Sequence, residues 1–221
     1  MNRTMLNDRI WKLYFFLPHC AYNIKKNRSK VNKRFNRVKN ENISIIATNC
    51  VGGEIYSILK IKFCSPFINT SMSRKDFIQM CSNLRSYMNS KFEPYKIGGG
   101  CRVVLKDDKN HPVTVNFPHD DKLAIVKKNW EKRVGRINYN KLVLICDDQG
   151  LSEDDYKKFD EIMAYKKVLL TADLRKAKKY DWCQFLEMYD GQKQVGTYNG
   201  KTFKGGWLFE YIWDFVKFLN K

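Results

Sequence analysis

One stretch near the start of the chain, Ile43 to Pro66 (ISIIATNCVGGEIYSILKIKFCSP), constrains the fold more than any other. The apolar run Ile43 to Ala47 has the length and composition of a buried strand. Thr48-Asn49-Cys50 ends it, two glycines follow at Gly52 and Gly53, and Ile55, Tyr56, Ile58 and Leu59 then recur at helical spacing. Strand, glycine turn, helix is the unit in which α/β proteins place ligands. Amides at the helix N-terminus point at the ligand, and glycine lets it come close. The stretch holds neither G-x-G-x-x-G nor G-K-[ST], so it is neither a dinucleotide fingerprint nor a P-loop. Asn49, Gly52 and Gly53 are therefore expected to contact substrate or phosphate. Cys50 beside them becomes a nucleophile only if the helix terminus lowers its pKa.

The rest of the chain alternates strands with helices. Phe67–Asn69 reads as a short strand. Ser73 and Asp76 open a helix whose apolar side is Phe77, Met80, Cys81, Leu84 and Met88. Cys101–Leu105 and Val113–Phe117 flank a polar turn and predict a hairpin. A helix follows from Asp120 or Asp121 to about Arg136. Leu142–Cys146 is a buried strand, Ser152 and Asp155 open another helix, and Val168–Thr171 is a further strand. Residues 173–206 are irregular and glycine-bearing, and Trp207–Leu219 has the pattern of an amphipathic C-terminal helix. The order predicts an α/β layered sandwich around a largely parallel sheet with one antiparallel hairpin. Residues 43–221 are expected to form a single domain behind a basic, partly apolar segment, 1–42.

Charge is concentrated in that segment. The chain has a net charge of +18, and residues 1–40 hold eleven Lys and Arg against one acid, Asp8. Ile10–Ile24 is aromatic and apolar and is followed at once by a basic tract. This suits an interfacial anchor on an anionic membrane surface, with aromatics at headgroup level. A helix packed on the domain with a solvated basic face is the alternative. No apolar run reaches the ~20 residues of a membrane span. The tract lacks regular aromatic interleaving and no nucleic-acid motif accompanies it, so nucleic acid is not an expected partner. The seven cysteines include no C-x-x-C pair, which argues for free thiols in a reducing cytosol rather than zinc or disulfides.

Three further groups carry chemistry. His119 ends the Val113–Phe117 strand beside Asp120 and Asp121, a setting for a general base. Asp147 and Asp148 follow a buried strand directly. Asp147 is a second candidate base, and the pair are candidate ligands for Mg or Mn holding a diphosphate. Trp130, Arg133 and Arg136 share a helix face, and the two arginines suit phosphate.

These segments also resemble a bacterial exopolysaccharide-biosynthesis family known as a domain of unknown function. The similarity rests on N-C-x-G-G-x-I-Y at 49–56, on KNWEKRVGRIN at 128–138 against W-x-R-R-x-x-R-I-N, on LVLICDDQG at 142–150 and on FVKFLN at 215–220. Where the family shows Asp-Arg-Asp-Gly, this chain has Asp-Asp-Gln-Gly. The resemblance implies a cytoplasmic protein, peripheral at the inner face of the plasma membrane, in capsule or exopolysaccharide synthesis. It points to a transferase using a sugar nucleotide or other activated donor and a lipid-linked glycan acceptor. A non-catalytic glycan-binding or assembly factor and, more remotely, a basic nucleic-acid-binding protein are the alternatives.

Overall fold

The computed structural model describes residues 42–186, 209 and 213–220. The chain divides into two units, one spanning Glu41–Leu170 and the other containing Thr171–Lys221. The first holds β1 (Ser44–Ala47), α1 (Val51–Leu59), α2 (Arg74–Ser82), α3 (Leu84–Met88), β2 (Tyr95–Ile97), β3 (Gly100–Lys106), β4 (Pro112–Phe117), α4 (Leu123–Val134), β5 (Leu142–Asp147) and α5 (Glu153–Glu161). It also holds β6 (Lys166–Thr171) up to Leu170.

Strands β1, β5 and β6 run parallel in that order, with Ser44 opposite Leu142 and Ile145 opposite Val168. Every residue of β5 is buried, as expected for a central parallel strand covered on both faces. The hairpin β3–β4 forms as anticipated, with Cys101 opposite Phe117, and β2 adds a third antiparallel strand. The α/β architecture is thus the one the sequence predicts, with the hairpin set apart as its own sheet.

The glycine turn is first of all a packing device. A Cβ on Gly52 would stand 3.3 Å from Ala47 Cβ and 3.4 Å from Ile45 Cγ2, so glycine lets α1 lie tight on β1. A Cβ on Gly53 would meet Ile68 Cγ2 at 3.3 Å. One turn on, the Tyr56 hydroxyl accepts the Ile45 N–H at 2.8 Å and donates to the Ile43 carbonyl at 2.9 Å. β1 is the edge of the parallel sheet, and this side chain satisfies backbone groups that an edge strand otherwise offers to other chains.

Trp130 anchors α4. Its ring stacks on Phe92 at 4.7 Å and meets Phe67 and Phe117 edge-on at 5.1 and 6.0 Å. Such pairs add to area burial, so the tryptophan of the signature-like segment works in the core.

Several boundaries differ from expectation. Phe67–Asn69 is not a strand. The Phe67 N–H goes to Ser65 Oγ, the Ile68 N–H goes to the Pro66 carbonyl, and Asn69 has φ +58°, so these donors serve local turns. The helix opened by Ser73 breaks at Asn83, whose backbone (φ −139°, ψ 46°) divides it into α2 and α3. α4 starts after Lys122 rather than at Asp120 or Asp121, because the Asp120 N–H closes a turn on the Phe117 carbonyl.

In the second unit, Asp173 caps α6 (Leu174–Lys179) by accepting the Arg175 N–H at 2.9 Å. β7 (Cys183–Phe185) follows, and the Leu186 N–H donates to the Thr171 carbonyl. α7 (Phe215–Asn220) is the described part of the expected C-terminal helix, with Phe209 edge-on to Phe215 at 5.6 Å. The expectations for 1–41 and 187–206 lie outside the described residues.

Gly100 and Gly99 give a paired test. A Cβ on Gly100 would lie 2.6 Å from the Phe117 carbonyl oxygen, which is backbone and has no rotamer to escape into. Gly99 has open space. Gly100→Ala is expected to destabilise by about 1–3 kcal/mol and Gly99→Ala by less than about 0.5 kcal/mol, read as urea unfolding midpoints.

Candidate functional site

The polar residues of the first unit gather at opposite edges of the parallel sheet. At the carboxyl edge the centre is Asp147, the last residue of β5, whose side chain is fully buried. Arg74, in the first turn of α2, reaches it in fork geometry, Nε to Oδ1 at 2.7 Å and Nη2 to Oδ2 at 2.8 Å. Thr48 Oγ1 donates to Oδ2 at 3.4 Å and the Gln149 N–H donates to Oδ1 at 3.2 Å. A carboxylate has about four lone-pair directions. Here all are engaged, so Asp147 holds Arg74 in a fixed orientation. A buried ion pair of this kind adds little net stability over an apolar pair, although removing one partner is costly. Its position at the end of a central parallel strand, where α/β folds place ligands, is what makes it a functional candidate.

The segment before Arg74 is stitched in from both sides. The Met72 N–H donates to the Thr48 carbonyl at 3.0 Å. Ser71 pairs with Asn116 of β4, exchanging backbone bonds of 2.9 and 2.8 Å. Arg74 is therefore positioned by β1, β4 and β5 together. Ser73 caps α2 by accepting the Asp76 N–H, as the sequence predicts.

Asn49 lies at the same edge, and its Oδ1 accepts the Val51 N–H at 3.0 Å, shaping the turn into α1. Asp148 is adjacent and buried, and its N–H donates to the Leu170 carbonyl. His119 is exposed in the turn after β4, three residues beyond the Asn116–Ser71 bridge, hence within about 10 Å of chain from it. Asn49, Asp147 and Asp148 thus belong to one edge, whereas the chain beyond Asn116 runs antiparallel to the Ser71 segment and the charge of Asp120, beside His119, reaches Arg133.

Cys50 is not poised for nucleophilic attack. Burial, and then the charge of Glu54, push its thiol up. Among the described residues no three His, Cys, Asp or Glu side chains cluster to hold a metal ion. The Asp147 oxygens are committed to Arg74, Thr48 and Gln149, so the described side chains at this edge do not fit Mg or Mn.

Arg133 and Arg136 are elsewhere. Arg133 lies in the last turn of α4 and Arg136 just past its Gly135 cap rather than on the expected helix face, both at the amino edge, where Asn138 donates its backbone N–H to Ser44 Oγ at 2.8 Å and its Nδ2–H to the Asn42 carbonyl at 3.0 Å. From Ser44 to Thr48, β1 extends about 13 Å, so no compact substrate spans both edges. Arg133 is half-buried, with its guanidinium over the Phe63 ring at 5.5 Å. Burial, and then the neighbouring Arg136, lower its pKa. Arg136 Nη1 donates to the Phe63 carbonyl at 3.4 Å and its side chain lines an open cavity of about 360 Å³ with Asn42, Arg85, Asn138, Tyr139 and Asn140. Arg74 and Arg85 escape sequence reading, since isolated arginines in a capped helix look like a solvated face.

The fold and the carboxyl-edge centre define an α/β protein built around parallel strands, with a buried carboxylate–guanidinium pair where such folds place ligands. The chain belongs to the family described as Domain of unknown function (DUF1919), whose model matches residues 21–220. A Haemophilus influenzae protein (strain Rd), described as an uncharacterized protein, is 25% identical over 210 residues, covering 89% of this chain and 93% of its own. Among the described residues no helix is long and apolar enough to cross a membrane.

Asp147→Asn leaves Arg74 against a neutral amide in a buried site. Urea unfolding is expected to show a loss of about 3–5 kcal/mol, and a loss under about 1 kcal/mol counts against the pair as the anchor of the 70–74 segment. Cys50 is expected to react with iodoacetamide at pH 7.5 more slowly than free cysteine, followed by mass spectrometry of the Cys50 peptide.

Proposed function

We propose that this protein is a transferase of capsule or exopolysaccharide biosynthesis, passing a sugar or a substituent to a lipid-linked glycan at the carboxyl edge of its parallel sheet. The observation that carries the reading is Arg74, 26% exposed and clamped by buried Asp147. A guanidinium fixed in this way is preorganised for the charge that develops on a leaving diphosphate. The resemblance of 49–56, 128–138 and 142–150 to an exopolysaccharide-biosynthesis family supports the pathway.

In a glycosyl transfer a base takes the proton of the acceptor hydroxyl as its oxygen bonds to the anomeric carbon, and His119 is the histidine the sequence offers for that step. The bond to the donor's diphosphate breaks, and the departing negative charge faces Arg74. Asp147 acts here as the residue that positions Arg74. Asn49 offers its amide to donor or acceptor at the same edge. The basic segment 1–40 holds the protein on the anionic inner face of the plasma membrane, where lipid-linked glycans are assembled.

A non-catalytic glycan-binding role is the second reading. The observation favouring it is that the cavity at the amino edge is lined by arginine, asparagine and tyrosine, without an acid or a histidine.

The test is mass spectrometry of lipid-linked intermediates and surface polysaccharide from a deletion strain complemented with wild type, Arg74→Gln or His119→Ala. The transferase reading expects a truncated glycan, or one lacking a single substituent, in the deletion and in both variants. Full function in both variants removes the catalytic assignment and favours the binding role. An unchanged profile in the deletion itself removes the pathway.

A further inference from the structure

The amino edge carries a second polar centre that the transferase reading leaves unused. We infer that the cavity formed by Arg85, Arg136, Asn138, Tyr139 and Asn140 binds a phosphate-bearing, hydroxyl-rich ligand, the chemistry shared by a free sugar phosphate and a phosphorylated lipid headgroup. This inference does not rest on the reaction at the carboxyl edge.

Charge comes first. Arg85 and Arg136 line the cavity and no acidic side chain does. Arg133, whose charge is felt by Arg136, is held against the same helix end by its stack on Phe63, with Asp120 as the acid that faces it. An uncompensated pair of guanidinium groups in a concave site attracts an anion, and the planar fork of arginine matches phosphate oxygens.

Preorganisation comes second. The Arg85 guanidinium lies 3.8 Å over the Tyr139 ring. Stacking uses the face of the guanidinium and leaves its N–H donors, which lie in its plane, directed outward. Arg136 is tethered through a single nitrogen to the Phe63 carbonyl. The carbonyls that end α4 do not repel the ligand freely, because those of Glu131, Arg133 and Val134 are capped by the N–H groups of Gly135, Arg136 and Ile137. Asn138 is locked by three hydrogen bonds, to Ser44, Asn42 and the Asn140 N–H. These bonds hold the rim of the cavity to the start of β1, so the site sits on a rigid element.

Hydroxyl recognition comes third. The Asn140 carboxamide, exposed at the rim, offers a donor and an acceptor, as sugar hydroxyls require, and Tyr139 supplies an aromatic face. A cavity of about 360 Å³ is near the small end of ligand pockets, which run from ~300 to 1,000 Å³. That suits one phosphorylated sugar or one headgroup, and is small for a complete nucleotide sugar.

The experiment is isothermal titration calorimetry of the full chain with inorganic phosphate and with glucose 1-phosphate, alongside sedimentation with phosphatidylglycerol vesicles. Wild type is compared with Arg85→Gln, Arg136→Gln and, as a charge-matched control that does not line the cavity, Lys109→Gln. Thermal melts establish that each variant is folded; Arg85 is exposed, so its variant retains the fold even if Arg136→Gln does not. The expected result is one saturable site for glucose 1-phosphate, tighter than for inorganic phosphate. Arg85→Gln and Arg136→Gln each weaken it about tenfold or more, and Lys109→Gln leaves it unchanged. Vesicle binding that falls with Arg85→Gln but not Lys109→Gln, without saturable glucose 1-phosphate binding, supports the same site with a headgroup as its source. No binding to either probe, or equal losses in all three variants, overturns the inference. Because the readout is binding by purified protein, it stands or falls separately from the glycan profile of the deletion strain.

Discussion

A carboxylate buried at the end of a central strand requires a partner, and the first unit is organised around meeting that need. Asp147 leaves the all-buried strand β5 with no exposure of its side chain, and an unpaired charge there is prohibitively expensive. Arg74 supplies the counter-charge across 73 residues of sequence. To reach Asp147 it must begin α2 at that edge, which fixes where the preceding segment runs. That segment is therefore close enough for Met72 to bond Thr48 and for Ser71 to pair with Asn116. One ion pair thus accompanies the join between the parallel sheet and the antiparallel one.

The same geometry distributes function. Helices α2 and α3 lead from the carboxyl edge, where Arg74 meets Asp147, to the amino edge, where Arg85 stacks on Tyr139 just before β5 begins. Two arginines eleven positions apart serve centres separated by the length of a strand. At the carboxyl edge the guanidinium is matched by a buried acid, which suits orientation and charge stabilisation. At the amino edge the guanidinium groups line a cavity without an acid, which suits holding an anion. The polar residues of this unit therefore form two centres with different electrostatics.

What was legible in the sequence follows from local physics. The glycine turn at Gly52 and Gly53 marks a strand–helix junction because close packing of a helix on a strand excludes a Cβ. It also looks like a phosphate cradle, since both uses exploit the same missing atom. Ser152 and Asp155 form the capping box foreseen, because that motif is complete within four residues. Phe67–Asn69 misleads for the opposite reason. Its apolar character reflects burial beneath Trp130, while its N–H groups are spent on local turns, which composition does not report.

The sequence by itself determined the α/β class, the parallel strands, the hairpin and the capped helices, since periodicity, glycine placement and caps act over a few residues. It also identified the edge that gathers Asn49, Asp147 and Asp148, because residues just past a buried strand fall at its carboxyl end. Only the tertiary structure decided that Asp147 is saturated by Arg74, Thr48 and Gln149, that burial and Glu54 raise the Cys50 thiol, and that Arg136 faces a cavity with Arg85 rather than the acids. Those outcomes depend on which distant side chains arrive within hydrogen-bond reach. Charge pairing and desolvation are properties of that encounter and not of any short stretch of chain.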